Sequence, residues 1–106
     1  MITLEDFKKI SEDCGFEFLK LIGSNEVYCV LKGKRDFYVA KYDRWKIRVS
    51  TEWNTDNYEI WPNTPKVFDT TQLQNCKLKR LLNSRMKAYK KLKMVLKLKS
   101  IEKDFK

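Results

Sequence analysis

Apolar and polar positions recur along this chain with two different periods, and the switches between them mark out the elements. Leu4, Phe7, Ile10 and Cys14 follow three- and four-residue steps, the spacing of one face of a helix. Thr3 stands where an N-cap belongs, Asp6 three residues on can return the hydrogen bond, and Gly15 supplies the stop. The stretches FEFLKLI (16–22) and EVYCVLK (26–32) read as strands, with Gly23, Ser24 and Asn25 as the hairpin turn between them. Gly33 to Asp36 predicts a second turn, Phe37 to Lys41 a third strand and Trp45 to Ser50 a fourth. In the fourth, Trp45, Ile47 and Val49 alternate with Lys46, Arg48 and Ser50, so one face should meet a core and the other water.

Periodicity lapses between residues 51 and 71, a segment expected to be an irregular, aromatic-containing connection with at most a short strand around Tyr58 to Trp61. From Thr71, the expected cap, helical spacing returns, and 72–100 predicts a basic amphipathic helix. At about 100° per residue, Leu78, Leu81, Leu82, Ala88, Tyr89, Leu92 and Leu96 fall on one side, with Arg85 inside their arc. Met94, Leu98, Ile101 and Phe105 step 4-3-4 on the opposite side. Two arrangements fit this change of face: one continuous helix with a second stripe, or a break near Lys93 to Lys97, where VLKLK alternates like a strand.

The order α-β-β-β-β-α predicts an α+β fold of two layers: an antiparallel three- or four-stranded meander with an N-terminal helix and a long basic C-terminal helix. Residues 1–106 are expected to form a single compact domain. This order resembles that of double-stranded-RNA-binding domains, which run α-β-β-β-α. The resemblance, one of topology alone, implies that Lys77, Lys79 and Arg80 at the start of the last helix would lie near an RNA backbone. Segment 51–71 departs from that layout.

Composition sharpens the functional picture mainly by exclusion. The chain has no histidine, which rules out His-based metal sites and Ser-His-Asp or Cys-His nucleophiles built from its own residues. No acidic pair or Gly-rich run has the spacing of a metal or phosphate-binding motif, so no enzyme, cofactor or metal is expected. Cys14, Cys29 and Cys76 are odd in number and widely spaced; reduced thiols are expected, with Cys14 and Cys29 in the core. The opening MITLEDFKK lacks the apolar run of a secretory signal, and no stretch is long and apolar enough to span a bilayer. Both point to a cytoplasmic protein.

Charge placement is the positive signal. Residues 1–69 hold eleven basic and twelve acidic side chains, a sum of −1, whereas residues 70–101 hold ten basic and no acidic ones, a sum of +10. Such asymmetry predicts an anionic partner, DNA or RNA above all, held through Lys77, Lys79, Arg80, Lys87, Lys90, Lys91 and Lys97. A secondary platform is expected on the open sheet face from Lys20, Tyr28, Tyr38, Lys46 and Arg48, where aromatic rings would stack bases. The alternative function is docking of an acidic protein or a second copy through Trp53, Tyr58, Trp61, Met94, Leu98, Ile101 and Phe105. A solvated outer face on an ordinary core helix is the plain competitor to all of these.

Overall fold

A computed structural model of the chain describes residues 2–20, 23, 26–43, 45–56, 59–63, 65–71 and 73–104, and the side chains of these other than 36, 65 and 100–104. The described residues form helix α1 (Leu4–Asp13), strands β1 (Glu17–Lys20), β2 (Val27–Leu31), β3 (Lys34–Asp43), β4 (Lys46–Ser50), β5 (Trp53–Asp56), β6 (Glu59–Pro62) and β7 (Pro65–Asp69), and helix α2 (Asn75–Asp104). The fold is α+β with a helix at each end. Its strand region differs from a simple meander of three or four. β1-β2-β3-β4-β7 make one antiparallel sheet, and β5-β6 form a separate two-stranded sheet inserted between β4 and β7. This also departs from the α-β-β-β-α layout of the double-stranded-RNA-binding domains.

Local signals place α1 closely. The Thr3 hydroxyl accepts from the Asp6 amide (3.1 Å) and the Asp6 carboxylate accepts from the Thr3 amide (3.3 Å), a complete capping box. At the other end the Gly15 amide bonds Glu12 O and the Phe16 amide bonds Ser11 O, each at 3.0 Å, with Gly15 at φ 91°. That paired pattern is a Schellman stop, and it requires the left-handed residue that only glycine adopts cheaply.

Between the sheet and the helices lies a core of Phe7, Phe16, Val27, Cys29, Val39, Ala40, Ile47, Val49, Leu78 and Leu82, with Ile2 closing one end. Phe7 stacks near Tyr42 (5.4 Å between ring centroids) and meets Phe18 edge-on at 6.5 Å. The Tyr42 hydroxyl donates to Ile2 O (3.1 Å), which ties the start of the chain to the middle of the sheet.

Several expectations are corrected here. Trp45, expected to point inward with Ile47 and Val49, sits in the turn before β4 and is 61% exposed. Segment 51–71, expected to be irregular, carries β5, β6 and β7 because its aromatic and β-branched residues find cross-strand partners. Thr71 does not cap α2. Its amide and hydroxyl both donate to the Asp69 carboxylate (3.0 and 2.8 Å) in the preceding turn, and the helix begins at Asn75. No break occurs near Lys93 to Lys97: α2 continues for 30 residues, about 45 Å. The long dimension of the molecule, 53 Å, follows from that length.

Candidate nucleic-acid interface

The division of α2 into two sides comes from what each side packs against. Leu78 and Leu82 are fully buried, and Leu81, Met86 and Tyr89 pack against the core. Arg85, the cation inside the apolar arc, is half-buried, and its guanidinium donates to the Thr51 carbonyl, which explains its place there. On the outer side Lys77, Lys79, Arg80, Lys87, Lys90, Lys91 and Lys97 are all exposed; Lys93, also exposed, lies instead 6.0 Å from the Tyr89 ring on the inner side. Lys77 lies 5.5 Å from the Phe68 ring, so its ammonium is held against β7 rather than extended outward. Among the described residues the ion pairs, Arg35–Glu17 (2.6 Å) and Lys41–Glu26 (3.0 Å), involve no cation of α2. From Asn75 to Lys99 the helix has no acidic residue of its own, so its positive potential is uncompensated along that length.

The sheet face away from the helices is assembled less simply. Cross-strand pairing aligns Leu19, Tyr28, Lys41, Arg48 and Val67 on it, together with Lys46. Lys20 is not part of this set: it pairs with Val27, a core residue, and lies beside Lys8, Lys9 and Phe18 next to α1. The expectation for Lys20 fails because alternation within β1 puts it on the same side as Phe18, which packs against the core. Tyr38 does join Tyr28, with ring centroids 5.5 Å apart.

Lys41 was missed on this face, and the reason is a bulge. Between the pairs Cys29↔Ala40 and Val30↔Tyr38 the strand β3 holds one extra residue, Val39, so Tyr38 and Lys41 share a face that strict alternation would deny them. The adjacent apolar pair Val39-Ala40, both buried, is the only trace of this in the sequence. Lys41 is engaged, however. It pairs with Glu26 and lies 5.8 Å from the Tyr28 ring, while the Tyr28 hydroxyl donates to Glu26 at 2.8 Å. The bond from Lys41 holds the Glu26 carboxyl below its usual range, and the bond to Glu26 pushes the Tyr28 phenol up. Arg48 and Lys46 remain the exposed cations of this face, with Asp43 and Asp69 paired to Lys46 in register. The charge of the sheet face is therefore mixed, unlike that of α2.

Trp53, expected in an exposed patch, instead anchors the β5-β6 hairpin. Its indole Nε1–H donates to the Arg85 carbonyl of α2 (2.8 Å) and its ring lies 5.1 Å from Tyr89. Asn63 closes the base of the hairpin, its Oδ1 accepting from Ser50 Oγ (3.0 Å) and from the amides of Thr51 and Glu52 (both 3.1 Å). Trp61 is half-buried and lines a cleft of about 560 Å³ with Phe37, Ile60, Asp56 and Glu59. Tyr58 and Phe105 lie outside the described residues, as does the side chain of Ile101. Met94 and Leu98 are 67% and 60% exposed.

Cys14 and Cys29 are buried and Cys76 is exposed, all as free thiols. Burial pushes the Cys29 thiol up to about 12 and raises that of Cys14 as well, which keeps both protonated near neutrality. Among the described residues no helix is long and apolar enough to cross a membrane. Comparison of the chain with protein-family models, curated proteins and solved structures gave no match.

Proposed function

We propose that this chain is a non-enzymatic nucleic-acid-binding protein that contacts phosphates through the outer side of α2. The observation that carries the reading is the uncompensated, exposed row of Lys79, Arg80, Lys87, Lys90, Lys91 and Lys97. Lys79 to Lys97 spans about 27 Å of helix, enough to meet several phosphates. Lysines dominate the row, and a lysine is a point charge without the bidentate fork that reads guanine, so the binding is expected to be largely indifferent to sequence. The sheet face supplies at most a minor contribution, because Glu26, Asp43 and Asp69 offset its cations.

A salt titration tests the reading. Six phosphate contacts give a slope of about −5.4 in log Kd-derived affinity against log salt on duplex DNA, hence a loss of about 2,000-fold between roughly 50 and 200 mM. Replacing Lys87, Lys90 and Lys91 together by glutamine should cut the slope to about −2.7 and the loss to about 40-fold. The readout is fluorescence anisotropy with labelled double- and single-stranded DNA and RNA. Absence of binding to all four at low salt, or an unchanged slope in the triple variant, defeats the reading. A second reading, docking of an acidic protein surface, rests on the exposed Met94 and Leu98, which a phosphate backbone leaves unused.

A further inference from the structure

The outer side of α2 changes chemistry along its length. At about 100° per residue, Arg80, Lys87, Met94 and Leu98 fall within roughly 40° of one another, so they form a single line down the helix. That line is cationic at Arg80 and Lys87 and apolar at Met94 and Leu98, which are 67% and 60% exposed. From Lys87 the residues Lys87, Lys91, Met94 and Leu98 step 4-3-4, the seam spacing of one helix laid along another. Lys90 and Lys97 flank the apolar pair on one side, and Val95, 41% exposed, flanks it on the other.

We infer that this part of α2 docks an acidic amphipathic helix of a partner protein, whose apolar residues cover Met94 and Leu98 while its carboxylates meet Lys90, Lys91 and Lys97. Charge selects this occupant. A second copy of the chain would lay an equally basic helix alongside, since residues 75–99 contain no acid, and like charges set close together oppose association. A lipid surface fits less well, because the exposed apolar strip is only Met94, Val95 and Leu98, far narrower than the apolar face an interfacial helix buries. Phosphate contacts of the kind proposed above make no use of Met94 or Leu98. Docking and phosphate binding share Lys90, Lys91 and Lys97, and the apolar pair is what separates them.

The probe is a synthetic peptide of about three heptads with leucine at a and d and glutamate at e and g, compared with an isomer of scrambled order and identical charge. Labelled peptide is titrated with the full chain at about 0.15 M salt and followed by anisotropy. The ordered peptide should bind at least about tenfold more tightly than the scrambled one. Met94→Ser with Leu98→Ser should weaken it by about tenfold or more while duplex DNA affinity stays within about twofold. Both positions are exposed, so the double variant should keep its circular dichroism and thermal midpoint. Equal binding of the two peptides, or no effect of the double substitution, overturns the inference. So does a homodimer seen by sedimentation that the serines dissolve, or capture by phosphatidylserine vesicles that the serines abolish while peptide binding is untouched. The Lys87/Lys90/Lys91 glutamine variant should bind the ordered peptide less tightly as well, since Lys90 and Lys91 meet its carboxylates, and an unchanged peptide affinity there overturns the inference; its DNA affinity tests the phosphate reading separately.

Discussion

Trp53 couples the β5-β6 hairpin to α2, and shortening it in two steps separates the parts of that coupling. Trp53→Phe keeps a ring beside Tyr89 and deletes the bond from Nε1 to the Arg85 carbonyl (2.8 Å). That carbonyl lies inside α2 and keeps its own helical partner, so no acceptor is orphaned and the loss is that of an ordinary hydrogen bond, about 1 kcal/mol. Trp53→Ala removes the ring as well. A fully buried aromatic costs about 3–5 kcal/mol on truncation, and Trp53 is half-buried, so packing adds about 2 kcal/mol. With a urea dependence of about 1.2 kcal/mol per M, the midpoints should fall by about 0.8 M and about 2.5 M respectively, with the slope unchanged. Urea unfolding followed by circular dichroism reads both. If Trp53→Ala shifts the midpoint no further than Trp53→Phe, the ring contributes nothing and the hairpin is held elsewhere, as by the buried Ile60. If neither moves it, the coupling to α2 is refuted.

Gly15→Ala should cost about 1–2 kcal/mol, because φ of 91° is foreign to an L side chain and the new Cβ would meet Met86 Cε at 3.3 Å; a thermal midpoint lower by several degrees is expected, and an unchanged one refutes the Schellman stop. Acid should destabilise the fold. Asp6 is lowered by the Thr3 amide, Glu26 by Lys41 and Asp69 by the Thr71 amide, so their contributions are complete above the unfolded values of 3.8, 4.5 and 3.8 and are lost as pH falls through the depressed folded ones. The urea midpoint should therefore drop between about pH 5 and pH 3, less so in an Asp6→Asn, Glu26→Gln variant. Toward a disulfide-exchange reagent, Cys76 should react in the native protein and Cys14 and Cys29 only on unfolding; more than one equivalent released natively contradicts their burial.

Much of what was legible in the sequence is governed by neighbours in the chain. The Thr3 cap, the Gly15 stop and the alternation of Ile47 and Val49 depend on bonds or contacts spanning a few residues, and their residue types announce them. Trp45 misled because alternation was carried one residue too far, into the turn before β4, where its amide donates to the Asp43 carboxylate. Thr71 misled for a related reason: a hydroxyl that suits a cap also suits an Asx turn, and Asp69 two residues before it won. Lys20 follows Phe18 by the alternation of its own strand, and that signal was in the sequence. Lys41 was illegible because the extra residue at Val39 breaks the alternation beside it, and Trp53 because Arg85 captures it from 32 residues away.

The sequence by itself determined where charge accumulates, since the ten cations of 70–101 with no acid among them need no folding to be counted. Helical periodicity also sorted Leu78 and Leu82 from Lys79 and Arg80, because a period is a local property. Only the tertiary structure decided that β7 pairs with β4, that β5-β6 leave the sheet and lean on α2, and that Met94 and Leu98 stay uncovered while α2 runs on past the core. These outcomes depend on closing loops between segments far apart in the chain, where the free energy resides in contacts that no window of adjacent residues contains.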